Sequence, residues 1–147
     1  GVFGERNKEF TFTLTDGAGN YLNSFRLKHG ESTSQKNIAI NVKAGDTIII
    51  KENDVTGYKV KAKIDNIEEE YPPEDDDTTL QEKQITVTIT DEMIDENKMV
   101  HITVINDKDG PVDNGVLLDT LPYLIILGIA AAGAVALLLH KRKHDDE

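Results

Sequence analysis

Cysteine and tryptophan are both missing from these 147 residues. Without cysteine no disulfide can staple the fold, and thiolate-held zinc or iron–sulfur groups are excluded. The histidines His29, His101, His140 and His144 are scattered, with no pair at ligand spacing on one element, so no metal site is expected. No glycine-rich phosphate loop and no nucleophile–base constellation occurs, so no cofactor and no enzyme activity are expected. Positive charge is scarce: 16 Lys and Arg stand against 27 Asp and Glu, a net charge of −11. Such a chain repels phosphates, which excludes nucleic acid as a partner and argues against adhesion to anionic lipid. The start, Gly1-Val-Phe-Gly-Glu-Arg, has no hydrophobic leader core. An outside N-terminus normally needs one, so the chain is expected to be the C-terminal part of a longer precursor.

What is present is concentrated near the C-terminus. Leu121 to Leu139 is an uncharged run with nothing more polar than Tyr123. As a helix it would be about 28 Å long, close to the roughly 30 Å hydrocarbon core of a bilayer. A buried core helix is the other reading, but no polar stripe interrupts the run. The sequence therefore predicts a transmembrane helix over 121–139. Lys141, Arg142 and Lys143 follow as a stop-transfer cluster that stays cytoplasmic. Residues 140–147 are then a cytoplasmic tail, and everything ahead of the helix lies outside the cell. In the tail three basic and three acidic residues cancel, so the outer part carries the full −11.

The outer part reads as β throughout. Phe10-Thr-Phe-Thr-Leu-Thr15 alternates apolar residues with threonine, the pattern of a half-buried strand. Asp16-Gly-Ala-Gly-Asn20 is a turn, and Tyr21 to Leu27 is its return strand. Ile38, Ile40 and Val42 alternate; Thr47 to Glu52 is strongly apolar; Tyr58 to Ile64 alternates with three lysines; Ile85 to Thr90 and Met99 to Asn106 complete the set. Asp91 to Lys98 is a polar connection with room for one helical turn. Glu68 to Asp77 is an acidic insert with two prolines, better read as a solvated loop than as a calcium site, because it lacks an EF-hand ligand pattern. Residues 1–108 are thus expected to form an all-β, antiparallel, Ig-like sandwich lacking its first strand, with a linker over 109–120. Its core should include Phe10, Phe12, Ile48, Ile50, Tyr58, Val60, Val87, Ile102 and Val104.

Strand parity picks out two residues whose chemistry does not match their face. Glu52 shares the face of Ile48 and Ile50, and Asn106 shares that of Val100, Ile102 and Val104. Strand-end residues often reach solvent, which is one reading. The other is a buried polar pair, in which the carboxyl needs a partner or a raised pKa.

At this point the sequence resembles a family. Lys8-Glu-Phe-Thr-Phe-Thr-Leu14, Ile48-Ile-Ile-Lys-Glu52 followed by Gly57-Tyr58, and His101-Ile-Thr-Val-Ile-Asn106 are similar to Gram-positive pilin-type modules, the CnaB-like or streptococcal pilin isopeptide-linkage domains. Abundant Thr, Lys, Asp and Asn without Cys or Trp fits such surface proteins. The resemblance implies a CnaB-like sandwich in which a lysine amine attacks an asparagine side chain while a buried acid moves protons. Carried over, Glu52 is the acid and Asn106 the acceptor. The lysine is expected upstream of Gly1, since Gly1 to Asn7 looks like the loop that follows it; Lys8 matches the wrong position.

Gly115-Val-Leu-Leu-Asp-Thr-Leu-Pro-Tyr123 is similar to the start of the family's cell-wall sorting tails. Where those carry Pro-Thr-Gly, this chain has Asp113, Asn114 and Gly115. Either the protein stays in the membrane or a divergent sortase accepts the altered motif. The expected function is non-enzymatic: a membrane-proximal stalk domain of a pilin-like or adhesin-like protein at the cell surface. Its partners are then the membrane and, as the resemblance implies, a sortase with cell-wall peptidoglycan or other pilin subunits. The alternative is a membrane-anchored ligand-binding or sensory ectodomain without a cross-link.

Overall fold

The computed structural model describes residues 8–75, 77–108 and 122–130. Its strands are β1 (Glu9–Asp16), β2 (Tyr21–Lys28), β3 (Asn41–Val42), β4 (Thr47–Asn53), β5 (Tyr58–Ile64), β6 (Glu70–Tyr71), β7 (Glu82–Thr88), β8 (Met99–Lys108) and β9 (Tyr123–Ile129). One sheet has the order β2-β1-β4-β7, and the other β3-β9-β8-β5-β6. Every named pair is antiparallel except β3 with β9. The fold is a β-sandwich, as the alternation predicts.

Local chemistry explains the connections. The β1–β2 turn is closed by Asp16, whose Oδ1 accepts the N–H groups of Ala18 and Asn20 at 2.9 and 2.8 Å. Gly19 sits there at a φ of 89°, which a residue with a Cβ rarely adopts. The Asp91 to Lys98 connection holds one 3-10 turn at Asp91–Met93. Part of the acidic insert is structured: Glu70–Tyr71 adds an edge strand to β5, and Glu74 accepts from Gln84 Nε2 and Thr86 Oγ1 at 3.1 and 2.7 Å. Among the described residues no cluster of three or more His, Asp or Glu could hold a metal ion.

Inward residues of both sheets meet in one apolar core. All nine predicted core residues are buried, together with Leu14, Leu27, Ile64, Ile85, Val100 and others. Phe10 anchors it, with its ring edge-on to Tyr58 and Tyr123 at 5.1 and 5.3 Å between centroids.

The C-terminal run differs from its prediction. The sequence predicts a helix over 121–139, yet the described part of that run is strand β9. Tyr123, Ile125 and Leu127 alternate into the core with 3, 0 and 0 % of their surfaces exposed. The physical reason is the edge that β9 covers: without it, the inward row Val100, Ile102 and Val104 of β8 would be left open. Among the described residues no helix is long and apolar enough to cross a membrane. Residues 131–139, the linker with Asn114 and Gly115, and the Lys141, Arg142 and Lys143 cluster lie outside the described residues.

Candidate functional site

The site lies inside the sandwich, where one end of each sheet turns a polar side chain inward. β4 buries alternate residues Ile48, Ile50 and Glu52. β8 does the same with Val100, Ile102, Val104 and Asn106. Glu52 and Asn106 keep only 2 and 5 % of their surfaces exposed, so the strand-end reading fails for both.

A third polar residue joins them. Lys83 on β7 stands directly opposite Glu52 in the β4–β7 ladder and is 2 % exposed. Its Nζ donates to the Tyr58 carbonyl, bridging from the first sheet to β5 of the second. Lys83 escapes the alternation pattern because the apolar row becomes visible only at Ile85, while the strand starts at Glu82. Parity carried two residues back from Ile85 and Val87 would have found it.

Burial raises the Glu52 carboxyl pKa to about 8, against lesser lowering by the neighbouring Asn106 amide and the Lys83 charge. The carboxyl is therefore mostly protonated at neutral pH. Asn106 is close enough to act on that group, but the two do not meet in hydrogen-bond geometry. Both carboxyl oxygens of Glu52 and both amide atoms of Asn106 are buried without a hydrogen-bond partner. An unpaired buried amide or carboxyl typically costs about 1–3 kcal/mol, so this end of the core is maintained against a stability cost.

Lys8 is placed elsewhere. Its Nζ donates to the Asp54 carbonyl at 3.0 Å and lies 5.0 and 5.2 Å from the Phe10 and Tyr58 ring centroids. It is held there by a backbone carbonyl and two rings.

Chemically, the three buried groups are a proton-carrying acid, an electrophilic carboxamide and a cation. An acid that holds its proton at neutral pH can protonate a departing amide nitrogen and accept a proton from an attacking amine. Comparison with protein-family models, curated proteins and solved structures returns no match for this chain.

Proposed function

We propose that the chain is a non-enzymatic structural module of a bacterial cell surface, a membrane-proximal stalk domain of a pilin-like or adhesin-like protein, stiffened by a lysine–asparagine amide cross-link. The observation that carries this is the buried, unpaired Glu52–Asn106 couple drawn from two different sheets. Glu52 is the acid and Asn106 the acceptor. A lysine Nζ forms a bond to Asn106 Cγ, the Cγ–Nδ2 bond breaks, and ammonia leaves. Glu52 delivers its proton to the departing nitrogen and recovers one from the attacking amine, so it ends as it began. The lysine comes from ahead of Gly1, and anchoring in the membrane through residues 121–139 requires Tyr123–Ile129 to leave β9. The altered motif at Asn114 and Gly115 either leaves it there or hands it to a divergent sortase and the cell wall.

The cross-link takes the part a disulfide plays in other extracellular domains, which this cysteine-free chain cannot use. The test is the intact mass of the full-length protein from its own cells. A deficit of one ammonia that disappears in Glu52→Ala and in Asn106→Ala is the expected result. Full unmodified mass in the wild type would defeat the cross-link.

A further inference from the structure

Among the described residues Lys83 is the only buried basic side chain, and the cross-link gives it no role. It stands where the two sheets meet. β7 is the last strand of its sheet; β5 is second from the end of the other, and its outer neighbour β6 pairs only with Ala62 and Lys63. Beside Tyr58 the sheets are instead stitched by the segments leading into β5 and β7. Val55 N–H donates to the Gln81 carbonyl at 3.1 Å, Gly57 N–H to the Thr78 carbonyl, and Lys83 Nζ to the Tyr58 carbonyl. Of these three stitches only the last is made by a side chain.

The same lysine has a second acceptor within reach. It lies directly opposite Glu52 in the β4–β7 ladder, and both side chains are buried. Directly opposed residues hold their Cβ atoms about 4.5–5.5 Å apart, a distance the flexible lysine stem covers. Both Glu52 carboxyl oxygens are unpaired. While the carboxyl is protonated it has little pull on the ammonium, and the Tyr58 carbonyl keeps it. Once ionised, the balance reverses. An unpaired carboxylate in the core is far more unfavourable than an unpaired backbone carbonyl, and the attraction between opposite charges is strong there.

The neighbours leave this exchange to Glu52 and Lys83. Across the ladders Glu52 meets Phe12 on β1 and Lys83 on β7, and the Asn106 amide approaches from β8. β5 turns Tyr58 and Val60 inward, the latter opposite Asn106. Lys8 stands over the Tyr58 ring, 5.2 Å from its centroid, with its own bond to the Asp54 carbonyl. Asp77 is exposed, and its carboxyl is held low by its bonds to Thr79 and, less, by the Lys83 charge. It is therefore ionised throughout. Glu52 is the group whose charge changes, and burial places that change at about pH 8.

We propose that Lys83 is a two-position clasp: it holds the Tyr58 carbonyl while Glu52 carries its proton, and turns to the Glu52 carboxylate when that proton leaves, loosening the seam between β5 and β7. The clasp does not rest on the cross-link reading, since it needs no bond at Asn106. With Lys83 turned away, the seam keeps the Val55 and Gly57 bonds, and water reaches this end of the core more often.

The test is NMR of the isotopically labelled 147-residue chain from about pH 6 to about pH 9.5. Glu52 Cδ, Lys83 Nζ and the Tyr58 carbonyl carbon should move together with one midpoint. Amide exchange at Val55 and Gly57, corrected for intrinsic base catalysis, should quicken several-fold across that midpoint relative to the β4 amides. In Glu52→Gln the Tyr58 carbonyl carbon and both amides should show no such step. In Lys83→Met, Glu52 should still titrate while the Tyr58 carbonyl carbon stays flat. A wild-type Tyr58 carbonyl carbon that stays still while Glu52 titrates overturns the clasp. So does one that still follows Glu52 in Lys83→Met. An Asn106 side-chain amide that follows Glu52 while Lys83 Nζ stays put gives the carboxylate a different partner and overturns it too. A Glu52 Cδ that does not titrate in this range removes the trigger altogether.

Discussion

β4 and β9 are near twins as local structures and differ in their neighbours and in the chain that follows them. Each is seven residues long, rich in isoleucine, central in its sheet, and buried at alternate positions. β4 lies between two antiparallel neighbours, is bounded by turns, and ends its inward row on Glu52. β9 lies between one parallel and one antiparallel neighbour, and its apolar character runs on to Leu139. β4 has no competing environment, because seven residues cannot span a bilayer. Burial alone therefore does not measure how firmly a strand belongs to a fold; the free energy of its alternative counts equally.

The largest expected effect breaks this likeness directly. Ile50→Ala should destabilise the domain by about 2–5 kcal/mol in urea denaturation followed by far-UV circular dichroism, whether or not vesicles are present. Ile125→Ala should cost a similar amount in water and much less once residues 121–139 are in a bilayer. Equal costs in both settings would show that β9 belongs to the sandwich as firmly as β4 does.

The pH dependence of β4 comes next. Glu52 has a folded-state pKa of about 8 against an ordinary 4.5. Between those values the folded chain holds a proton that the unfolded chain has released. Unfolding therefore releases it, and stability falls as pH rises through this window. The fall from pH 5 to 8 should be on the order of a few kcal/mol. Glu52→Gln should flatten it and leave the variant the more stable chain at pH 8. A wild-type profile as flat as that of Glu52→Gln would place the carboxyl in water.

Lys83→Met sharpens the same point. Removing the cation opposite Glu52 takes away one of the influences that lower the carboxyl's pKa, so the window should extend upward. The cost should be about 1–3 kcal/mol greater at pH 9, where Glu52 is charged, than at pH 6, where only the Lys83 hydrogen bond to the Tyr58 carbonyl is lost. The smallest effect belongs to the surface: Lys63→Ala, breaking the exposed 3.5 Å pair with Glu70, should cost at most about 1 kcal/mol and vanish in high salt.

The contrast also shows what a sequence discloses. Glu52 and Asn106 are legible because each ends a strictly alternating row, and parity needs no tertiary information. Lys83 escapes because β7 opens with Glu82-Lys-Gln84, whose polarity hides the strand's first residues. The course of β9 is not legible at all. An uncharged run has the same local content whether it meets lipid or a sheet, and only the slot between β3 and β8, assembled from residues far away in the chain, decides between them. Ile38 and Ile40 make a related point: their alternation suggests a longer strand, but only Asn41–Val42 pairs, because the segment before it spends its hydrogen bonds on loop turns and on β9.

The order of synthesis adds a consequence in time. β8 ends at Lys108 and β9 at Ile129, 21 residues later. At roughly 5–20 residues per second, a nascent chain waits about 1–4 s between the two. Throughout that interval the row Val100, Ile102 and Val104 has emerged and the strand that covers it has not. For those seconds the β8 edge is open to whichever extended segment is already at hand. The core on that side closes only when Tyr123, Ile125 and Leu127 arrive.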